Sequence, residues 1–190
     1  GAGPAGLAYA TVAAQRGHQV SLFDAGKEIG GQFNLAKLIP GKEEFYETLR
    51  YYDAMLEKLD VSVYLDTRVD ADALLAGGFD HVVIATGITP RMPAIPGIDH
   101  PKVIGYIDAL TGAKPVGKKV AVIGAGGIGF DVTEAITHAG PSAALDVDVF
   151  AREWGIDFAN HPRGGVTGVE PVVEKSEREV WLMQRKDTPV

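Results

Sequence analysis

Residues 118–129 read KKVAVIGAGGIG, and this stretch decides the fold class. The apolar run at 120–123 follows two lysines, a pattern typical of a short buried parallel strand. It leads directly into three glycines at the G-x-G-x-x-G spacing, Gly124, Gly126 and Gly129. In that spacing the first glycine makes a tight turn, the second admits a pyrophosphate and the third lets the next helix pack closely. The stretch therefore predicts a strand, a dinucleotide-binding loop and a helix over about residues 128–138.

A second copy of the spacing opens the chain as GAGPAG, with its glycines at Gly1, Gly3 and Gly6. We predict a helix over residues 4–16, with a proline tolerated in its first turn, and a strand over 19–23. Asp24 ends that strand about 20 residues after the loop, where a carboxylate accepts hydrogen bonds from a ribose diol. No strand precedes this copy, so we expect the natural N-terminus to lie upstream of Gly1.

Composition agrees with an enzyme and excludes several other classes. The 190 residues carry a net charge of -7, which argues against nucleic acid or an anionic membrane as partner. No stretch approaches the length of a membrane span, and we expect a cytoplasmic protein. The chain has no cysteine, so disulfides and thiolate metal sites are excluded from it. We expect no metal site, because the histidines lack ligand spacing: His18, His81, His100, His138 and His161.

Between the two loops we predict one amphipathic helix and two strands. The helix covers residues 43–59, and the strands cover 61–65 and 80–85. The proline-rich residues 88–101 cannot form a helix and are interpreted as a connector. The glycines before Gln32 either place flexible backbone and an amide beside a cofactor or form an ordinary turn.

Four longer strings make the chain resemble a known family. They are EIGGQFNLAKLIPGKEEFYETLRYY at 28–52, GIDHPKV at 97–103, VGKKVAVIGAGGIGFD at 116–131 and EWGID at 153–157. With the order of the two loops, they resemble the bacterial NADPH-dependent 2,4-dienoyl-CoA reductases, flavoproteins that carry an old-yellow-enzyme-like barrel. The resemblance runs over nearly the whole chain.

The resemblance implies an α/β fold of two Rossmann-like units. Residues 1–115 would bind FAD and lack the first strand, and residues 116–190 would bind NADP and be incomplete. The family's barrel, which holds FMN, a 4Fe-4S cluster and the dienoyl-CoA site, would lie in a missing upstream part. This chain would then relay electrons from NADPH through FAD towards the barrel, in the β-oxidation of unsaturated fatty acids. No residue of the chain is expected to be catalytic.

The resemblance also implies FAD contacts at individual residues. It places the FAD pyrophosphate near Ala5 and the adenosine ribose on Asp24. Gln32, Lys42 and the backbone at Val69 would complete the contacts, together with Gly87, which follows the strand predicted at 80–85. The sequence alone favours a surface charge at the start of a helix for Lys42, and the resemblance reverses that preference.

The nicotinamide unit offers two candidates for the residue that chooses between NAD and NADP. Counting about 20 residues from Gly124 reaches Asp146, and this acid or Asp148 would favour NAD. The resemblance instead treats residues 141–177 as an insertion, so that the next strand covers 180–183 and ends at Arg185 and Lys186. Two cations there suit a 2′-phosphate, and NADP is our prediction.

Two other functions stay open at this point. One is a flavoenzyme of the same layout, similar to trimethylamine dehydrogenase or enoate reductase. The other is a nucleotide-binding module without catalytic activity. Disulfide reductases of similar layout are excluded, since their chemistry needs a pair of cysteines.

Overall fold

The computed structural model describes residues 1–159, 170–185 and 187. The chain divides into two compact units, the first made of Gly1–Ala36 and Glu44–Ile95 and the second of Lys37–Glu43 and Pro96–Val190. Each unit combines a parallel strand pair with helices, which confirms the predicted α/β class. The predicted boundary between residues 115 and 116 separates an FAD-binding part from an NADP-binding part. This assignment of cofactors stays a prediction.

The first unit holds four helices and two strands in its described residues. In chain order they are α1 Pro4–Gln15, β1 Ser21–Phe23, α2 Phe33–Ala36, α3 Glu44–Lys58, β2 Ser62–Tyr64 and α4 Ala71–Ala76. β1 and β2 pair in parallel, with Leu22 opposite Val63. The long helices and both strands lie within one or two residues of their predicted limits.

The core of the first unit forms where α1 and α3 pack beside β1. Its buried members are Ala2, Leu7, Ala10, Leu22, Leu56 and Val61. α1 is rich in small residues, so its backbone can approach its neighbours closely, and Leu7 fills the centre with no exposed surface. The helix ends where Gly17 takes a positive φ of 88°, a conformation that favours glycine.

The strand predicted at residues 80–85 is wrong. In the described part of the chain nothing pairs with these residues in a ladder. An apolar run becomes a strand only when a neighbour takes up its backbone hydrogen bonds, and sequence pattern cannot supply that neighbour. Val82 and Val83 are each 47% exposed as a result, although the segment still reaches the first glycine loop through Ala85.

The second unit holds three helices and two strands in the same described range. In chain order they are α5 Tyr106–Leu110, β3 Lys119–Ile123, α6 Gly127–Thr137, α7 Val147–Trp154 and β4 Glu179–Met183. β3 and β4 pair in parallel from Lys119 opposite Glu179 to Ile123 opposite Met183. β4 agrees with the strand predicted at residues 180–183, and among the described residues it is the next strand after the second loop, with α7 between them.

Two further observations concern the predicted connector and membrane-spanning helices. Residues 88–101 contain neither helix nor strand, as predicted for a connector. Among the described residues, no helix is both long and apolar enough to cross a membrane.

Candidate dinucleotide-binding sites

The first glycine loop is built by close backbone packing. A Cβ on Gly6 would overlap the carbonyl oxygen of Gly1, and a Cβ on Gly1 would overlap the carbonyl oxygen of Ala85. Any side chain at either position would push the loop apart, so these two glycines support the loop. Their role is to let α1 start directly against the turn.

The start of α1 offers a site for an anion. Gly3 is the N-cap and has no side chain with which to cap the helix. The N–H groups of Ala5 and Gly6 therefore lack an intrahelical acceptor, at the positive end of the helix dipole. Such an end binds phosphate groups readily.

The sequence interpretation of the turn before Gln32 left two alternatives, and the structure places this turn against the loop. The Gly30 N–H donates to the Ala2 carbonyl at 2.8 Å. A Cβ on Gly31, whose φ is 52°, would stand 2.9 Å from the Cα of Gly3. The turn thus forms one wall of the loop, which only a residue without a side chain allows at this distance.

Asp24 follows β1 and is held in a fixed orientation beside the loop. Its Oδ2 accepts a hydrogen bond from the Ala2 N–H at 2.5 Å, and its Oδ1 accepts one from the Gly26 N–H at 2.6 Å. A carboxylate has about four acceptor positions, so two remain for hydroxyl donors. Asp24 can therefore accept from a ribose while it fastens the glycine loop to the end of β1.

These groups surround an open cleft of about 360 Å³ in the first unit. Its lining residues are Gly3, Pro4, Ala5, Asp24, Gly31, Gln32, Ile84, Ala85, Thr86, Gly87 and Ile88. The structure thus brings together five of the predicted FAD residues: Gly3, Ala5, Asp24, Gln32 and Gly87. A helix start for a pyrophosphate and a carboxylate for a ribose, along one cleft, fit an extended dinucleotide.

Sequence analysis missed the wall of the cleft formed by residues 84–86 and 88. A usable signal was present, because the apolar run ends in the small residues Ala85, Thr86 and Gly87. Gly87 has a φ of 70°, so the chain turns here at the edge of the cleft.

Two predicted FAD residues lie elsewhere. Val69 follows β2, is half-buried and is not among the residues that line the cleft. Lys42 belongs to the second unit, where its Nζ donates to Oδ1 of Asp131 on α6 at 2.6 Å. FAD contacts by these residues stay predictions.

The second loop repeats the geometry of the first. Gly124 has a φ of 117°, and a Cβ on Gly129 would overlap its carbonyl oxygen. Gly126 is the N-cap of α6 and again lacks a capping side chain. The Gly124 N–H donates to the Met183 carbonyl at 2.9 Å, which ties the loop to the end of β4. The helix start therefore suits a second pyrophosphate.

The structure also separates the two candidates for nucleotide choice. Arg185 follows β4 by two residues and is exposed, at the sheet edge where Gly124 follows β3. Lys186 lies outside the described residues. Asp146 instead caps α7, where its Oδ1 accepts from the N–H groups of Asp148 and Val149 at 2.9 and 3.0 Å. Both acids belong to a helix start, while Arg185 follows a strand end near the loop; the choice of NADP through Arg185 stays a prediction.

Within residues 1–159, 170–185 and 187, no group of three or more histidine, cysteine, aspartate or glutamate side chains could hold a metal ion.

Two glycine loops that each start a helix beside a parallel strand pair are typical of dinucleotide-binding chains. The family described as pyridine nucleotide-disulphide oxidoreductase matches residues 1–155, and the chain belongs to it. This membership confirms the coarser prediction of a flavin- and pyridine-nucleotide-binding oxidoreductase. The chain itself has no cysteine for the disulphide chemistry in the family's name.

Individual relatives are larger proteins. A metal reductase of Desulforamulus reducens is 35% identical over 144 residues, which is 74% of this chain and 22% of the relative. The structure of a 2-naphthoyl-CoA reductase in complex with 2-naphthoyl-CoA superposes with a TM-score of 0.69 at 30% identity, over 96% of this chain and 32% of that one. Histamine dehydrogenase from Rhizobium sp. 4-9 gives a TM-score of 0.62 at 28% identity, over 72% and 23%. The chain thus spans about a fifth of the curated metal reductase that it matches.

Proposed function

We propose that this chain is the electron-relay part of an NADPH-dependent flavoprotein that reduces 2,4-dienoyl-CoA. The observation that carries the proposal is the duplicated loop geometry, one loop in each unit. Two dinucleotide sites on one chain suit a protein that receives electrons from one dinucleotide and passes them through another. FMN and a 4Fe-4S cluster, outside this chain, would complete the relay.

The residues of this chain act by binding and orientation. In the first unit, the start of α1 would hold the FAD pyrophosphate at Ala5, Asp24 would hold the adenosine ribose, and Gln32 would offer an amide along the cleft. In the second unit, the start of α6 would hold the NADPH pyrophosphate. Bound FAD and NADPH supply the hydride and electron-transfer chemistry. No acid, base or nucleophile of this chain is needed for that role.

The choice of a CoA thioester as substrate class rests on the four strings at 28–52, 97–103, 116–131 and 153–157. A structural relative that carries 2-naphthoyl-CoA supports it, because that protein also takes an unsaturated acyl-CoA. The likeness to histamine dehydrogenase favours the alternative, a flavoprotein similar to trimethylamine dehydrogenase that oxidises amines.

Anaerobic spectroscopy of the purified full-length flavin-loaded protein, which would include the part proposed to hold FMN and the cluster, tests the proposal. NADPH should bleach the flavin absorbance, and 2,4-dienoyl-CoA should then restore it. Restoration by cinnamate but not by a dienoyl-CoA would assign an enoate reductase, and bleaching by an amine without NADPH would assign an amine dehydrogenase. A protein that holds no flavin would contradict the enzyme assignment and favour a non-catalytic module.

A further inference from the structure

Lys42 and Asp131 form an ion pair between residues 89 positions apart in the chain. The Lys42 Nζ lies 2.6 Å from Oδ1 of Asp131, and the two side chains are 39% and 30% exposed. A second contact lies beside it, where the Gly41 N–H donates to Oγ of Ser142 at 3.3 Å. The segment Lys37–Glu43 is thus held in the second unit, and Lys42 is directed at α6.

Asp131 lies in α6, near the helix start proposed to bind a pyrophosphate. It is five residues after the N-cap Gly126, which at about 1.5 Å per residue is roughly 7.5 Å along the helix axis. An anion bound at the start of α6 would lie within about one Debye length of this carboxylate, so its repulsion is not fully screened. A free Asp131 would therefore oppose a negatively charged ligand that the helix dipole attracts.

We propose that Lys42 is a positioning residue for the pyridine nucleotide, because it cancels the charge of Asp131 beside the pyrophosphate-binding start of α6. The inference rests on the proposed function, since it takes the second loop to bind NADPH. It gives Lys42 a role through Asp131 that differs from a direct contact with FAD. The partial burial of both side chains keeps water from screening the pair fully, so its loss is measurable.

A charge-rescue series in the purified flavin-loaded protein tests this role. The variants are K42M, D131N, the double variant K42M/D131N and K42R. The readouts are the Kd for NADP⁺ by titration calorimetry, the flavin content by absorbance and the Tm. None of these requires turnover.

The K42M variant should bind NADP⁺ about three- to tenfold more weakly, and the loss should shrink at high salt. The double variant should recover to within about twofold of the starting protein, because the uncompensated carboxylate is gone. D131N alone should bind NADP⁺ as well as the starting protein or better, and K42R should retain binding. If K42M does not fold, the Kd of D131N for NADP⁺ is the measurement that tests the inference.

K119M is the matched control. Lys119 pairs with Glu179 at 3.5 Å at the opposite end of the strands, so this variant removes the same charge and also breaks an ion pair. It should leave the Kd for NADP⁺ unchanged.

Other results would overturn the inference. Loss of flavin in K42M that D131N does not rescue would make Lys42 a flavin ligand. A lower Tm with an unchanged Kd would make the pair structural only, and weaker NADP⁺ binding by D131N would assign Asp131 a direct contact. Failure of the starting protein to bind NADP⁺ would overturn the proposed function, and this inference with it.

Discussion

The carbonyl oxygen of Gly124 occupies the space in which a Cβ of Gly129 would stand. Gly1 and Gly6 have the same relationship in the first unit. In both units the third glycine of the loop therefore lets the helix begin against the carbonyl of the first. The obstacle is backbone, which cannot rotate away as a side chain can.

Gly129→Ala should consequently destabilise the second unit. Insertion of a methyl group into packed backbone destabilises by about 1–3 kcal/mol, and here it also displaces the start of α6. We expect a lower Tm and at least tenfold weaker NADP⁺ binding, measured by calorimetry. Gly127→Ala is the control on the same helix, because a Cβ there would meet no described atom within 4 Å. It should be neutral or slightly stabilising, since alanine favours helix over glycine. Equal effects of the two substitutions would contradict the packing argument.

Gly6→Ala should show the same defect on the other cofactor. A Cβ on Gly6 would overlap the Gly1 carbonyl oxygen and shift the start of α1, so the flavin content should fall while the loop of the second unit is unaltered. The measurement is the ratio of flavin to protein absorbance. Full flavin occupancy in this variant would show that the first loop does not hold the pyrophosphate.

Asp24→Asn should weaken flavin binding without unfolding the unit. The amide keeps an acceptor for only one of the N–H groups of Ala2 and Gly26 and sets its NH₂ donor against the other, and it also loses the carboxylate charge. We expect a cost of about 1–3 kcal/mol in flavin affinity, measured as the Kd for FAD after flavin removal. Asp66→Asn is a control near the end of β2, because Asp66 does not line the cleft. Unchanged FAD affinity in Asp24→Asn would remove this residue from the site.

The sequence predicted local features well and pairings between distant residues poorly. Both glycine loops and the helices after them have signals within a few neighbouring residues, such as Pro4 in the first turn of α1, whereas β4 was predicted from the family resemblance. The ladder that residues 80–85 lack, and the pairing of Lys42 with Asp131, depend on chain that lies far away in sequence. Asp24 is an intermediate case: its place at the end of β1 was predictable, whereas its bond to the Ala2 N–H required the folded loop.

Asp146→Ala should lower stability without changing nucleotide choice. Its side chain caps α7 through two hydrogen bonds, and loss of such a cap costs about 0.5–2 kcal/mol. We therefore expect a lower Tm, with the ratio of the KM values for NADH and NADPH unchanged. If the variant instead prefers NADPH more strongly, seen as a rise of the KM for NADH relative to that for NADPH, Asp146 would be the residue that selects NAD.

The choice between NADP and NAD is tested most directly at the end of β4. Arg185 is exposed two residues after that strand, and Lys186 follows it in sequence. Arginine binds a phosphate through two donors, and each charge-assisted hydrogen bond lost with it is worth about 1.5–3 kcal/mol. Arg185→Ala combined with Lys186→Ala should therefore raise the KM for NADPH by tenfold or more, as roughly 1.4 kcal/mol corresponds to a factor of ten. The KM for NADH should change little, because NADH lacks the 2′-phosphate. Arg152→Ala is the control. Arg152 lies on α7 and pairs with Glu174 at 3.8 Å, and its substitution should leave the KM values for both nucleotides unaltered. Equal rises for the two nucleotides would place the lost contact on a group that they share, such as the pyrophosphate.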